Sequence, residues 1–207
     1  MNVFKKTLYT LYTLAAFVFL SASPAALRAE SDPLVLLRDT VDTVVERLFP
    51  DGVAADPAGA MPEVRRLVEA RFDFSVISRR AIGRGWNRLT EPQQERYTTL
   101  FADLLMHTYT DRLTGLRRPQ FEWGSVQELG RDRVEIDSSI LYEGERYAVI
   151  YRLVRMGGDW QVYDLVIEGV SLVGNFRSQF TSVLDRRGPD ALIQTLEDRV
   201  ASQKTAN

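Results

Sequence analysis

The stretch from Trp160 to Phe180, WQVYDLVIEGVSLVGNFRSQF, carries the clearest fold signal in this 207-residue chain. Its first half is rich in apolar and β-branched side chains with period-two alternation, which is typical of a β-strand. The pair Glu168-Gly169 predicts a tight bend, because glycine tolerates backbone angles that other residues avoid. Apolar side chains then recur at helical spacing. The stretch therefore predicts one strand that leads into one amphipathic helix.

Three further strands are predicted upstream, where the spacing of apolar side chains changes to a period of two. The four predicted strands cover residues 121–129, 133–142, 145–155 and 160–168. The pairs Glu143-Gly144 and Gly157-Gly158 are typical of two-residue hairpin turns, since such turns need positive φ angles. We therefore expect a four-stranded, mainly antiparallel sheet that is connected in sequence order.

Helices are predicted on both sides of these strands. Asp32-Pro33 and the capping-box pattern Thr90-x-x-Gln93 both indicate helix starts. Residues 50–52 and 56–62 contain proline and glycine, and they are predicted as connections. The predicted helices cover residues 33–48, 63–71, 74–82, 91–113, 172–186 and 189–201. This order of elements predicts an α+β fold in which a layer of helices packs on an antiparallel sheet.

The N-terminus predicts a cleaved signal peptide over residues 1–29. Lys5 and Lys6 precede a mostly apolar segment at residues 8–20, and small residues follow it. This order is that of a secretory signal, and the apolar segment is too short for a membrane span. We expect one domain over residues 30–201 and a flexible tail over residues 202–207.

Composition excludes several classes of function. Residues 1–29 contain three basic residues and no acidic one, so their removal leaves 23 of the 26 basic residues against 28 acidic ones. An acidic domain is poorly suited to nucleic acid, because neutralisation of phosphates dominates that affinity. The chain has no cysteine and only one histidine, His107. Cysteine-ligated and multi-histidine metal sites are therefore not expected.

The apolar pattern leaves the nature of the interior open. Alternation places Trp160, Val162, Asp164 and Val166 on one face of the last predicted strand, and Tyr163, Leu165 and Ile167 on the other. The pattern does not decide which face meets the helices. A filled core and an apolar cavity both require apolar side chains at these spacings.

Several motifs together resemble one known family. Beside Trp160 to Phe180 these are Phe72-Asp73-Phe74, Gly83-Arg84-Gly85-Trp86 and Thr90-Glu91-Pro92-Gln93-Gln94. In this order, over roughly residues 33–200, the chain resembles the MlaC/toluene-tolerance family. The resemblance implies a non-enzymatic, periplasmic phospholipid carrier of Gram-negative bacteria. It implies a cavity between sheet and helices that holds the acyl chains while the head group stays near the mouth.

The resemblance also implies partners. A carrier of this family exchanges phospholipid with an inner-membrane MCE-domain protein attached to an ABC transporter, and with an outer-membrane lipoprotein–porin complex. It implies a monomer with no cofactor, whose bound phospholipid is cargo. The candidate lipid-binding side chains, among which Val170 is expected near the mouth, are Phe74, Ile77, Trp86, Phe101, Leu105, Tyr109, Val134, Ile136, Tyr147, Val149, Tyr151, Trp160, Val162, Val166, Val170 and Phe176.

Asp164 supports an alternative function. A carboxylate inside an apolar strand needs a charged partner or a raised pKa. It could serve as the general base of a small-molecule enzyme with a cone-shaped α+β fold like that of ketosteroid isomerase. A structural ion pair with an arginine explains the same residue, and we favour that interpretation. A third possibility is a binding module with a filled core.

Other residues offer weaker chemistry. Ser171 lacks the G-x-S-x-G pattern of a nucleophile elbow, and no histidine–acid set accompanies it. The lone His107, on the predicted helix over residues 91–113, is more typical of a packed or solvent-edge residue than of a catalyst. The segment Gly83-Arg84-Gly85-Trp86 lacks the ending of a phosphate-binding loop and does not follow a strand. Arginines cluster around the predicted helix over residues 74–82. They could meet an anionic group, or they could form a solvated face. The members are Arg79, Arg80, Arg84 and Arg88.

Overall fold

The computed structural model describes residues 32–54, 56–110 and 115–205. This part of the chain forms six helices and five strands, which confirms the α+β class. The predicted signal peptide at residues 1–29 lies outside the described residues. The elements, with a 3₁₀ segment at Gly83–Arg88 between α3 and α4, are α1 Pro33–Leu48, α2 Pro57–Glu69, α3 Phe74–Ile82, α4 Glu91–Thr110, β1 Gln120–Glu128, β2 Arg133–Tyr142, β3 Glu145–Met156, β4 Asp159–Ile167, β5 Val170–Ser171, α5 Leu172–Arg187 and α6 Pro189–Thr205.

The sheet is antiparallel throughout, with its strands in sequence order from β1 to β5. The two predicted hairpin turns are confirmed. Glu143 and Gly144 adopt φ angles of 52° and 86°, and Gly157 and Gly158 adopt 59° and 94°. Positive φ at both positions matches the right-handed twist of the flanking strands, which explains the tight connections.

The expectation of four strands is wrong, because a fifth strand follows the predicted bend. Glu168 and Gly169 have φ angles of 50° and 79°, the same pattern as in the two other hairpins. The chain therefore folds straight back, and Val170 pairs with Ile167 in an antiparallel register. β5 is only two residues long because Ser171 then caps α5, accepting a hydrogen bond from the Gly174 amide at 2.9 Å.

The predicted faces of β4 are also wrong, and an irregularity in the strand explains the error. Val162 is paired with Leu153 and Asp164 with Arg152, so one residue of β4 has no partner in β3. This insertion reverses the alternation from that point on. The side of β4 that faces α1 therefore carries Trp160 and Val162 before the insertion, but Leu165 and Ile167 after it.

Helix α2 is longer than predicted, because the segment at residues 56–62 is not a connection. Asp56 caps the helix by accepting a hydrogen bond from the Gly59 amide at 2.8 Å, and Pro57 occupies the first turn. A side chain at position 59 would leave no room for this cap, since a Cβ there would lie 2.1 Å from Asp56 Oδ2. Pro62 lies inside the helix.

Helix α6 also extends beyond its predicted end near residue 201. It continues to Thr205, and Gln203 Nε2 donates a hydrogen bond to Thr108 Oγ1 of α4 at 2.8 Å. This contact ties the last turn of α6 to the end of α4. Residues 206 and 207 lie outside the described part of the chain.

Two large apolar clusters, and a smaller third one around Val45, Phe49 and Ala54, support the fold. The first joins helices α3 to α6 around an aromatic group in which Tyr97 and Phe180 meet edge to face, with ring centroids 5.8 Å apart. Burial in this group raises the pKa of Tyr97. The second cluster lies between α1 and the sheet, where Leu37 contacts the strands that carry Ile136 and Leu153. The candidate site lies where these two clusters meet.

Candidate functional site: an apolar cavity between sheet and helices

An apolar cavity of about 220 Å³ lies where β4 meets the α1–α2 helix pair and the other helices. One carboxylate, that of Asp164, is its charged lining group. An apolar wall with little polar chemistry suits hydrocarbon rather than a reacting polar substrate. The lining side chains are Val44 and Leu48 of α1, Met61, Val64 and Val68 of α2, Phe72 of the α2–α3 connection, Phe74 and Ile77 of α3, Leu105 and Met106 of α4, Val162, Asp164 and Leu165 of β4, and Leu172 and Val173 of α5.

Backbone pairing at the edge of β4 positions one end of the cavity. The Val162 amide donates a hydrogen bond to the Arg71 carbonyl at 2.7 Å, and Phe72 forms a parallel bridge to the same strand. Asp73 then caps α3 through a hydrogen bond from the Val76 amide at 3.0 Å. This arrangement places the rings of Phe72 and Phe74 in the cavity wall.

Asp164 anchors the corner at the opposite end. Its Oδ2 accepts a hydrogen bond from Ser171 Oγ at 2.6 Å, and its Oδ1 accepts one from the Val173 amide at 3.0 Å. The carboxylate therefore lies at the N-terminus of α5, where the helix dipole favours negative charge. These bonds fix β5 and the first turn of α5 against β4. They also provide hydrogen-bond partners for the carboxylate of Asp164, which is only 7% exposed.

Arg152 supplies the charged partner of Asp164. Its Nη1 lies 3.3 Å from Asp164 Oδ2, and its Nε donates to Glu135 Oε1 at 2.7 Å. The hydrogen bond to Glu135 is the main cause of a raised pKa of Arg152. The ion-pair interpretation of Asp164 is confirmed. Because both carboxylate oxygens already accept hydrogen bonds, this arrangement stabilises a corner and does not present a free base.

The structure distributes the predicted lipid-binding residues over several environments, and their role in binding lipid remains a prediction. Four of them, Phe74, Ile77, Leu105 and Val162, line the cavity. The side chain of Tyr109 lies outside the described part of the chain. Three others belong to the first apolar cluster, which joins helices α3 to α6 (Trp86, Phe101, Phe176). Five belong to the second, between α1 and the sheet (Val134, Ile136, Val149, Tyr151, Trp160). Val166 is buried on β4, and Tyr147 and Val170 are exposed.

Sequence reasoning missed much of the wall that α1 and α2 contribute. Met61, Val64 and Val68 have the three- and four-residue spacing of one helix face. That spacing was available in the sequence, but it crosses the segment predicted as a connection. Val44 and Leu48 lie in the helix predicted over residues 33–48, to which the sequence assigned no role in the cavity.

The other candidate chemistry has structural explanations. The Arg79 guanidinium lies 5.5 Å from the centroid of the Trp86 ring, and Arg80 lies 4.0 Å from that of Tyr163. Arg88 pairs with Asp185 at 2.6 Å. Arg84 and its neighbour Arg88 are exposed. Among the described residues, no group of three or more histidine, cysteine, aspartate or glutamate residues is arranged to hold a metal ion.

Val170 provides a test of where the cavity opens. It is 60% exposed, and it lies two residues before Leu172 of the cavity wall. We expect Val170→Glu to remain folded and to lower the amount of co-purified phospholipid about twofold to fivefold, because a carboxylate at the mouth opposes entry of acyl chains. Native mass spectrometry measures this occupancy. Unchanged occupancy would place the mouth elsewhere.

Comparison with known proteins agrees with the apolar character of the cavity. The sequence model of the MlaC protein family matches residues 38–198. The chain is 25% identical over 203 residues to the intermembrane phospholipid transport system binding protein MlaC of Haemophilus influenzae, covering 93% of this chain and 92% of that protein. It is 23% identical over 177 residues to the toluene tolerance protein ttg2D of Pseudomonas putida, covering 84% and 82% respectively.

A solved structure supports the same relationship. The phospholipid-binding protein of Ralstonia solanacearum, in complex with a phospholipid, superposes with a TM-score of 0.74 and 28% sequence identity. The match covers 84% of this chain and 99% of that one. In the described part of this chain, none of the helices has the length and apolar character that crossing a membrane requires. Fold, apolar cavity and sequence agree, and the chain belongs to the MlaC family.

Proposed function

We propose that this protein is a phospholipid carrier that holds acyl chains in the apolar cavity. The observation that carries the proposal is the cavity itself, whose wall is almost entirely hydrocarbon. Its relatives are named as phospholipid transport and phospholipid-binding proteins, and the family is one of transport proteins rather than enzymes. Phospholipid is therefore the proposed cargo, and no cofactor is needed.

The free energy of hydration explains why such a carrier needs a cavity. Burial of a methylene group is worth about 0.8 kcal/mol, so one chain of about 16 carbons loses on the order of 12 kcal/mol if it crosses water unprotected. A salt bridge to the head group contributes about 1 kcal/mol at an exposed site and cannot compensate for this loss. The apolar wall therefore supplies the binding energy, and loading is an exchange between two apolar environments.

The size of the cavity indicates that loading widens it. About 220 Å³ is less than the roughly 300–1,000 Å³ of pockets that hold drug-sized ligands, and a phospholipid is larger than most of these. Helix α2 contributes three lining residues, and its polar link to α4 is the ion pair between Arg65 and Asp103 at 2.5 Å. We expect the α1–α2 pair to move outward when acyl chains enter.

We further propose the cellular setting that the family suggests. Residues 1–29 would direct export, and the mature protein would act in the periplasm. There it would move phospholipid between an outer-membrane lipoprotein–porin complex and an inner-membrane MCE-domain protein of an ABC transporter, as part of a system that maintains lipid asymmetry. The name of the Haemophilus influenzae relative, which includes intermembrane phospholipid transport, supports this proposal.

Extraction of the purified protein tests the function. We expect organic solvent to release phospholipid in a molar ratio near one per protein, and the apolar cavity accounts for its retention through purification. A matched extract of a Val68→Glu variant controls for lipid that adheres to the surface, because Val68 lines the cavity. A clean extract from both proteins would contradict the proposal.

A further inference from the structure

Three neighbouring segments of the fold carry a local excess of positive charge. Helix α3, the 3₁₀ segment Gly83–Arg88 and helix α5 together contain seven arginines and one acidic residue, Asp185. Since the whole chain has 26 basic and 28 acidic residues, the rest of it holds 19 basic and 27 acidic ones. The positive charge is therefore concentrated on these segments, while the remainder of the protein is acidic.

Packing places the three segments side by side. Arg177 Nε donates to the Arg80 carbonyl at 3.1 Å, which joins the middle of α5 to the end of α3. Two turns further along α5, Leu184 packs so closely on Gly85 that a Cβ there would lie 2.3 Å from Leu184 Cδ2. Arg88 Nη2 then donates to the Leu184 carbonyl at 2.9 Å. Arginines of all three segments therefore share one region of the surface.

Four exposed arginines of this region, here called the arginine face, lack an acidic partner. In the part of the chain that the structure describes, none of them pairs with a carboxylate, whereas Arg88 pairs with Asp185. Their guanidinium groups are therefore available to an external anion. The members of the arginine face are Arg79, Arg80, Arg84 and Arg177.

Local contacts hold much of the arginine face in place. Arg79 and Arg80 lie over aromatic rings, and such stacking leaves the in-plane N–H donors of a guanidinium free. Arg177 lies against Gly83, where a Cβ would be 2.9 Å from Arg177 Nη2 and where φ is 52°. Only glycine suits that position, so the backbone itself makes room for the guanidinium.

The arginine face lies beside the expected mouth of the cavity. Arg80 stacks on Tyr163, and the next residue of β4 is Asp164, which anchors the first turn of α5. On α5, Arg177 follows the cavity-lining Val173 by one turn, or about 6 Å along the helix axis. A broad surface that contacts the arginine face would therefore also approach the residues that lead into the cavity.

We propose that the arginine face docks the protein on an anionic lipid bilayer. Guanidinium groups bind phosphates through parallel hydrogen bonds, and each basic residue near an anionic membrane raises partitioning roughly fivefold. The choice of a bilayer rests on the proposed function, because acyl chains that enter or leave the cavity exchange with another apolar environment. A bilayer also offers hydrocarbon beneath its phosphates to the exposed side chain of Val170, whereas an acidic protein surface complements the charge alone.

Sedimentation with lipid vesicles tests this docking. The purified protein is mixed in low salt with vesicles of equal phosphatidylglycerol and phosphatidylcholine, or of phosphatidylcholine alone. We expect at least about tenfold more binding to the anionic vesicles, and loss of this difference at about 1 M salt, where the Debye length falls to about 3 Å. Arg79→Gln/Arg84→Gln removes two charges of the face and should lower binding to the anionic vesicles at least about fivefold.

A matched control separates the arginine face from overall charge. Arg131→Gln/Arg133→Gln removes two exposed arginines at the β1–β2 connection, on the opposite edge of the sheet from β5, and should change binding less than about twofold. Arg84→Gln alone tests the face if the double variant does not fold. Arg84 makes no hydrogen bond, ion pair or ring contact among the described residues, and its loss should lower binding about twofold to fivefold.

The outcomes separate docking from carriage. Equal binding of the wild type to both kinds of vesicle, or equal binding by the face and control variants, overturns the inference while the carrier function stands. Retention on immobilised polyglutamate that depends on the arginine face, without vesicle binding, would assign the face to an acidic protein and also overturn it. A protein that binds anionic vesicles but yields a lipid-free extract would overturn the proposed function alone.

Discussion

Val68→Glu is expected to fold normally and to lose at least about tenfold of its bound phospholipid. Val68 is half-buried in α2 and lines the apolar cavity. In the empty protein the glutamate can turn towards solvent, and glutamate suits a helix at least as well as valine. In the loaded protein its charge would lie against acyl chains, and an unpaired buried charge costs several kcal/mol. Each 1.4 kcal/mol corresponds to about a factor of ten in affinity.

A matched substitution on the neighbouring helix provides the control for this prediction. Val35 lies on α1, is 53% exposed and does not line the cavity. Val35→Glu makes the same chemical change outside the site and should keep wild-type occupancy. Native mass spectrometry gives occupancy, and circular dichroism during urea unfolding checks the fold of both variants. Equal occupancy in the two variants would show that α2 does not contribute to the binding wall.

Asp164→Ala is expected to lower the free energy of unfolding by about 3 kcal/mol. The substitution leaves the Ser171 hydroxyl and the Val173 amide without their acceptor, and it leaves Arg152 with only Glu135. Hydrogen bonds to charged groups contribute about 1.5–3 kcal/mol, and breaking a buried pair costs about 3–5 kcal/mol. Arg152 is 35% exposed and can be rehydrated, so we expect the lower part of that range.

Two further variants make the second prediction specific. Asp164→Asn keeps one acceptor oxygen and should cost about half as much as the alanine variant. Asp159→Ala removes an exposed carboxylate from the same strand and should change stability by less than about 0.5 kcal/mol. Urea unfolding measures all three. A loss of stability below about 1 kcal/mol in Asp164→Ala would mean that the carboxylate is not the anchor of the α5 corner.

The turns show how far local sequence determines this fold. Glu143-Gly144 and Gly157-Gly158 predicted their hairpins correctly, because strands of recognisable length flank both pairs. Glu168-Gly169 has the same backbone conformation, but the strand after it is only two residues long and gives no periodic signal. Similarly, Asp56-Pro57 repeats the helix start of Asp32-Pro33, and the glycine and proline that follow it suggested a connection instead.

The candidate site was harder to predict than the fold. The irregularity in β4 reverses which residues face α1, and no turn residue marks it in the sequence, since Val162-Tyr163-Asp164 continues a strand pattern. Apolar spacing also cannot distinguish a filled core from a cavity, because both need the same side chains. The difference depends on how far α1 and α2 stand from β4, which is set by tertiary packing.

A crystal structure of the protein purified with its bound lipid tests the central claim most directly. The account predicts acyl-chain density in the cavity, in contact with Val68 of α2, Leu165 of β4 and Leu172 of α5. It also predicts that α1 and α2 stand further from β4 than they do here. Side chains that close this space completely, with lipid absent or bound elsewhere, would contradict it.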